Sequence, residues 1–263
     1  MFKRIRSFTI VTLAVISLSG CVAIGPNGIE ANDTIRSYDQ NSWQSNKALL
    51  RAAEESGNYE LMVNTARNVV TRSPENQEAR VFYAKALTKS GDAEQALRTL
   101  TSVDGKSFPG AHLEKARAMI ALGDTAGALS ELARFDETMA SEKGAPVDAQ
   151  TKTQLQRDAL KLEAVAASLS GSFTKAQAIF ESLMQEKDEP DVRFNYARTL
   201  LFIGKSQEAL NLLQPIVGAL PQAKFAAAVA LIQLNRKTEA RELLRTDMDD
   251  VAFEKLLKLH QAR

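Results

Sequence analysis

The residue of this sequence best suited to covalent chemistry is its single cysteine. Cys21 is the only cysteine among 263 residues, and it closes the tetrapeptide Leu18-Ser19-Gly20-Cys21. Three basic residues lie within the first six positions, and an apolar segment over residues 8–18 separates them from the cysteine. This order of positive charge, apolar run and small residues is typical of a cleaved secretory signal peptide. The run is shorter than the roughly 20 residues that a membrane-spanning helix needs, so we predict an exported chain.

The tetrapeptide resembles the lipobox of bacterial lipoproteins. In that family the cysteine thiol is diacylated, the chain is cut before it, and the new amine is acylated as well. The resemblance implies a signal peptide over residues 1–20 and a covalent lipid on Cys21. Val22 stands where lipoproteins retained at the inner membrane tend to have Asp, which points to the outer membrane and its periplasmic face. The alternative is a soluble exported protein with a free thiol, which would be prone to unwanted disulfides in an oxidising compartment.

Two Gly-Lys-Ser motifs raise the question of phosphate binding. They are Gly105-Lys106-Ser107 and Gly204-Lys205-Ser206. A phosphate-binding loop has another glycine five residues before the motif. Those positions hold Leu100 and Thr199, so we interpret both motifs as turns or loops.

No metal-binding or catalytic constellation is evident elsewhere. The two histidines, His112 and His260, lack a second ligand at helical spacing, so a zinc site is not expected. We therefore predict no enzymatic activity, no metal and no cofactor other than the lipid on Cys21. Without residues 1–20 the chain keeps 30 of its 33 basic residues and all 32 acidic ones. That balance gives no reason to expect nucleic acid as a partner.

A turn recurs along the rest of the chain at intervals of 34, 32, 48, 33 and 31 residues. Its members are Gly57-Asn58, Gly91-Asp92, Gly123-Asp124, Gly171-Ser172, Gly204-Lys205 and Asn235-Arg236. Alanine predominates seven residues before each turn and five residues after it. These positions hold Leu50, Ala84, Ala116, Ala164, Ala197 and Ala228 before the turns, and Met62, Ala96, Ala128, Ala176, Ala209 and Ala240 after them. Small residues there let two helices joined by a short turn pack closely.

This pattern resembles the tetratricopeptide repeat, a helix-turn-helix unit of about 34 residues. The resemblance implies an all-α fold, a right-handed superhelical solenoid of about six repeats over residues 41–263. Residues 21–40 show little periodicity, so we predict an acylated N-terminus followed by a flexible tether. The longest interval implies an insertion at about 138–156, either a surface loop or an extension of the two flanking helices. An amphipathic segment at about 251–262 is expected to cap the last repeat.

In the tetratricopeptide family, ligands commonly lie in the concave groove that the first helix of each repeat lines. Positions ten, six and three residues before each turn would face that groove. The middle position is basic in four of six repeats, and a further cation lies in the first repeat: Arg51, Lys85, Arg117, Arg198 and Lys47. We predict a broken basic ladder that favours acidic side chains or a C-terminal carboxylate of a partner. Ordinary solvated charge on an exposed face is the alternative.

Apolar residues dominate the C-terminal end of the predicted groove: Phe194, Leu201, Phe225, Val229 and Ile232. Such a surface suits an amphipathic helix or an extended apolar segment of a partner protein. The capping segment at 251–262 would fill the same surface if it packed there, and that is the alternative.

A lipid-anchored solenoid without catalytic groups is best interpreted as a protein–protein interaction adaptor. The lipobox, the short tether and the run of repeats resemble the lipoproteins of tight-adherence (Tad/Flp-type) pilus systems. That resemblance implies an assembly factor with a pilotin-like role for an outer-membrane secretin. The alternative is a periplasmic scaffold that recruits peptidoglycan hydrolases or other envelope enzymes.

Overall fold

The computed structural model describes residues 43–141 and 147–261, and all regular structure in those ranges is helical. The helices are α1 Trp43–Glu55, α2 Tyr59–Arg72, α3 Gln77–Lys89, α4 Ala93–Leu100, α5 Gly110–Ala121, α6 Thr125–Ala140, α7 Ala149–Leu169, α8 Phe173–Glu186, α9 Pro190–Phe202, α10 Ser206–Leu213, α11 Pro221–Gln233, α12 Lys237–Leu243 and α13 Asp250–Gln261. None of these described helices is both long and apolar enough to cross a membrane. The predicted signal peptide, Cys21 and the tether lie outside the described residues.

The first twelve helices form six pairs, and each pair is joined by one of the predicted turns. The turn residue has a positive φ in every case, from 59° at Asn235 to 97° at Gly91. At the first turn, the Gly57 N–H donates to the Glu54 carbonyl and the Asn58 N–H donates to the Ala53 carbonyl. This pair of bonds closes the end of a helix when the turn residue adopts the left-handed conformation. Glycine adopts that conformation without steric cost, which explains its recurrence in the repeat.

The twelve positions that the repeat pattern reserves for small residues are all fully buried, which confirms the predicted register. Alanine fills ten of them, and Leu50 and Met62 occupy the other two in the first pair. Each buried alanine leaves room for the backbone of the facing helix, because a larger side chain would hold the two helices apart. The repeat pattern therefore determines how closely the helices of each pair pack.

The hydrophobic core runs the length of the solenoid in three clusters. The first gathers residues from α1 to α5 around Leu50, Met62 and Leu100, and the second surrounds Phe135 between α5 and α7. The third extends from α7 to α13, and in it the rings of Phe180 and Tyr196 stack with centroids 5.7 Å apart. Burying each large apolar side chain contributes about 1.5–3 kcal/mol relative to leaving it exposed.

Helix α13 covers the C-terminal end of the third cluster. Its residues Phe253, Leu256 and Leu257 are buried and belong to the same cluster as the apolar residues of α11. The Arg241 guanidinium of α12 lies over the Phe253 ring, 5.4 Å from its centroid. A terminal helix of this kind shields the apolar face that the last pair would otherwise expose.

The longest interval in the sequence corresponds to lengthened helices on both sides of residues 142–146, which lie outside the described part. Helix α6 continues to Ala140 and α7 begins at Ala149. Near the start of α7, the Arg157 side chain is 8% exposed and donates to the carbonyls of Leu183 and Lys187, at 2.9 and 2.7 Å. Arg157 thus satisfies the Lys187 carbonyl just after α8, where a helix leaves its last acceptors without partners, and adds a second donor to Leu183, which also accepts from the Lys187 N–H.

Candidate protein-binding groove

The first helices of the six pairs lie next to one another and present one continuous face. Helix α5 contacts α3 and α7, and α9 contacts α7 and α11. Side chains of α1 and α3 are joined by ion pairs. This face carries most of the positions that the sequence assigned to a partner groove, and we call it the groove.

The N-terminal cations of the groove are paired with carboxylates of the neighbouring repeat. The Lys47 ammonium lies 2.9 Å from Glu78, and the Lys85 ammonium lies 2.8 Å from Glu54. Lys89 also reaches Glu54, at 3.5 Å. Burial disfavours the charged form of Glu54, but these two ammonium groups outweigh it and hold the pKa of Glu54 below its usual value.

The central cations are compensated in the same way. Arg117 donates to Glu114 at 3.0 Å, and against the effect of burial this carboxylate raises the pKa of Arg117. The Lys161 ammonium lies 2.6 Å from Glu189 and 3.0 Å from Asp191, at the start of α9. Burial lowers the pKa of Lys161, but these carboxylates raise it further than burial lowers it.

The expectation of an open basic ladder therefore needs correction. Lys47, Lys85 and Arg117 each contact a carboxylate, so this part of the groove alternates in sign and offers little net positive charge. Arg51 and Arg198 are exposed, and no carboxylate of the described residues pairs with either of them. The physical reason is that α1, α3 and α5 also carry acidic residues, which pair with cations of the same helix or of an adjacent repeat.

An open cavity of about 200 Å³ lies at the C-terminal end of the groove, between α7, α9 and α11. Its apolar walls are Val165 and Leu169 from α7, Leu201 and Phe202 from α9, and Val229 from α11. Arg198 reaches the same cavity from α9. The Arg198 guanidinium lies over the Phe194 ring, 5.7 Å from its centroid, which is within cation–π range.

The other polar groups that line the cavity already have partners within the protein. The Thr199 hydroxyl lies 3.0 Å from the Ser168 hydroxyl and 3.1 Å from the Asn195 carbonyl. The Asn195 amide donates to the carbonyl of Asp191, and the Gln233 amide oxygen accepts from Ser206. A bound segment would therefore meet apolar walls, the remaining amide groups of Asn195 and Gln233, and one charged group, the Arg198 guanidinium.

The predicted apolar residues differ in exposure, and Phe194 and Leu201 are partly buried. Phe225 is 44% exposed, whereas Val229 is 9% and Ile232 only 6% exposed. Ile232 differs most from the expectation of an open surface, because it lies in the core cluster that α13 helps to cover. The cavity walls come from α7, α9 and α11, so the groove and the capping helix α13 use different faces of the last pair.

Sequence reasoning missed two exposed residues beside the cavity, Phe202 and Leu169, which are 71% and 47% exposed. Both lie two residues before a turn, a position that was not assigned to the groove. That position follows the middle groove position by four residues, so the two share a helix face. Helical periodicity was the signal that could have identified them.

Two family models that describe the tetratricopeptide repeat match the sequence. One matches residues 168–232, and the other matches residues 77–100, 109–134 and 221–246. The three segments of the second model correspond to the pairs α3–α4, α5–α6 and α11–α12, whereas the first model runs from the end of α7 into α11. The chain carries tetratricopeptide repeats over these segments.

A solved structure shares its fold. A thermophilic tetratricopeptide-repeat protein of Thermus thermophilus superposes with a TM-score of 0.52 at 17% identity, over 75% of this chain and 97% of that one. The Cut9–Hcn1 hetero-tetramer of the APC/C matches with a TM-score of 0.42 at 15% identity, over 84% of this chain and 50% of that one. No curated protein matches the sequence significantly. Tetratricopeptide repeats typically serve as scaffolds for protein interaction.

Outside the groove, the residues considered for chemistry take structural places in the tetratricopeptide body. His112 is largely buried at the start of α5, and its Nδ1 lies 2.8 Å from the Glu131 carboxylate. Gly204-Lys205-Ser206 forms the turn between α9 and α10, and Gly105 lies in the loop before α5. Among the described residues, no three His, Cys, Asp or Glu side chains gather closely enough to hold a metal ion.

Proposed function

We propose that this protein is a lipid-anchored adaptor of the outer membrane, facing the periplasm, that helps a Tad/Flp-type pilus secretin to assemble. The observation that carries the proposal is the combination of Leu18-Ser19-Gly20-Cys21 with a solenoid built for protein binding. The pilotin-like role comes from the resemblance to tight-adherence lipoproteins. Its partner is a protein segment held in the groove.

The lipid anchor would keep such an adaptor, and any partner bound to it, at the membrane. Each buried acyl CH₂ contributes about 0.8 kcal/mol, so several chains on Cys21 would hold the protein firmly in the membrane. A tether of about 19 residues behaving as a random coil has an r.m.s. span of roughly 25 Å. A partner bound in the groove would be confined near the membrane, which raises its effective concentration at the site of insertion.

The anchor is tested by the Cys21→Ala variant. We expect it to lose incorporation of labelled palmitate, leave the membrane fraction, keep the helical circular dichroism of the parent and lower the yield of secretin multimers. Val22→Asp is the matched variant, because it keeps the cysteine and is expected to move the lipidated protein to the inner membrane. A Cys21→Ala protein that stays in the outer membrane and supports full secretin assembly would overturn the proposal.

The partner is tested by photo-crosslinking in intact envelopes. A photoreactive residue at Phe202 in the groove is expected to capture the secretin. The same probe at Lys175, an exposed residue of α8, is the control and is expected to capture none. Capture of a peptidoglycan hydrolase at Phe202 would instead favour an envelope-enzyme scaffold and reject the pilotin-like role.

A further inference from the structure

We infer that the groove selects an amphipathic partner helix with an acidic residue between two apolar ones, and that Arg198 binds the acidic side chain. The inference rests on the proposed function in one respect, namely that a partner segment occupies the groove. It adds the chemistry of that segment and the residue that discriminates it.

The first observation is a stripe along α9 made of Phe194, Arg198 and Phe202. These residues are four apart, so they lie on one helix face with a rise of about 6 Å from each to the next. The Phe194 ring lies beneath the guanidinium, and the Phe202 ring has its centroid 6.4 Å from that of Phe173. The cation thus lies over one aromatic ring, and a second aromatic side chain lies one turn further along the same helix face.

The second observation is the charge state of the groove. Lys47, Lys85 and Lys161 each have a carboxylate within 3.0 Å, whereas Arg198 has none among the described residues. The other polar side chains of the cavity are uncharged, and each makes at least one hydrogen bond within the protein. A wholly apolar ligand would cover the guanidinium without pairing it, which is costly, whereas a carboxylate on the ligand would compensate it. The apolar walls strengthen such a pair, because they lower the local dielectric.

The third observation is the size and the lining of the cavity. A volume of about 200 Å³ suits one or two side chains, and it is flanked by Leu169 of α7 and Val229 of α11. A helix lying along α9 would place apolar residues four positions before and after its acidic residue, in register with the stripe. The matching sequence pattern is therefore apolar, acidic and apolar at successive steps of four.

The test uses the full chain, purified from membranes, and a fluorescent helix-forming peptide of about 14 residues with a Glu flanked by Leu four positions away on each side. Anisotropy titrations compare this probe with its Glu→Gln version on the parent protein and on Arg198→Gln. We expect the Gln probe to bind the parent about tenfold more weakly, and Arg198→Gln to bind both probes equally. Together the two probes and the two proteins form a double-mutant cycle, whose interaction free energy measures the Arg–Glu contact. Binding of a probe to detergent is the same with both proteins and therefore cancels.

Two further variants test which groove residues contact the probe. Arg51→Gln removes the other exposed cation of the groove and is expected to leave the preference for Glu unchanged, whereas Phe202→Ala is expected to weaken both probes. Equal binding of the two probes by the parent, loss of the preference in Arg51→Gln, or absence of binding overturns the inference. So does crosslinking of the Phe202 position to residues 22–42 of the same chain or to a second copy. The proposed function fails separately, if photo-crosslinking in envelopes recovers no partner.

Discussion

The Lys85 ammonium on α3 lies 2.8 Å from the Glu54 carboxylate on α1, so a groove position of one repeat is joined to a groove position of the repeat before it. Both side chains are about one-quarter exposed. The pair binds neighbouring repeats together where an open cation had been expected. Cations of the groove therefore differ in role, and those with partners within the protein contribute to the cohesion of the solenoid.

We predict that Lys85→Gln lowers the stability of the fold by about 1 kcal/mol and leaves partner capture unchanged. Lys89 still reaches Glu54, which limits the loss. Thermal unfolding followed by circular dichroism measures the change, with the exposed Lys152→Gln as the control. If the Lys85→Gln protein is fully stable but fails to capture its partner, the prediction is wrong and Lys85 belongs to the partner-binding surface.

Arg157 should be the costliest arginine of the described residues to replace. Arg157→Met removes the donor to the Lys187 carbonyl, one of the two donors to the Leu183 carbonyl and one of the cations around Glu189, and we expect a loss of about 3 kcal/mol. Arg245→Met is the control, because the Arg245 side chain is 69% exposed and its ion pair with Glu242 is solvated. In urea titrations, the unfolding midpoint should shift strongly for Arg157→Met and hardly at all for Arg245→Met.

We predict that the folded protein loses stability in acid because the Glu189 carboxylate becomes protonated. Burial opposes its ionisation, but Lys161, Lys187 and Arg157 lower the pKa of Glu189 from 4.5 to about 2. A lowered folded pKa means that the carboxylate stabilises the fold above the unfolded pKa and loses that contribution as the pH falls toward 2. The stability difference between the parent and Glu189→Gln should thus be largest near neutral pH and shrink below about pH 4.5. A difference that grows in acid would contradict this assignment.

The turns allow a test of backbone conformation alone. Gly171 has a φ of 81°, and a Cβ added there would meet nothing within 4 Å. Gly171→Ala should therefore cost about 1 kcal/mol through the left-handed conformation and not through a clash. Asn235 adopts a φ of 59° at the equivalent turn. The Asn235→Gly change, measured in the same denaturant titration, should alter stability by less than about 0.5 kcal/mol.

Much of the fold was predictable, because a short-range pattern determines it. Ala84 and Ala96 lie twelve residues apart with a glycine turn between them, and their burial follows from the contact of two adjacent helices. The same relation recurs in all six pairs. The form of the 138–156 insertion was not predictable, because surface loops and lengthened helices are compatible with the same residues.

The groove was less predictable, because its properties depend on contacts between repeats. The positions of Lys47 and Lys85 follow from helical periodicity, but their pairing with Glu78 and Glu54 requires knowing how neighbouring repeats are rotated against each other. Position alone could not distinguish Arg198, which lacks a carboxylate partner among the described residues, from Lys85, which has one. Ile232 is the opposite case. Its position in the repeat indicated an exposed groove residue, but Ile232 lies in the core cluster that α13 helps to cover.

Trp43 determines where in the protein the intrinsic tryptophan fluorescence originates. It is the only tryptophan of the chain, and its indole N–H donates to Glu78 at 2.5 Å while its ring packs edge-on against Phe82. The intrinsic emission of the protein therefore originates at the first turn of α1, directly after the segment that carries the predicted lipid. Attachment to a bilayer that disturbs this end would shift the spectrum, whereas a ligand at α9 would leave it unchanged. One unlabelled sample thus separates events at the anchor from events in the groove.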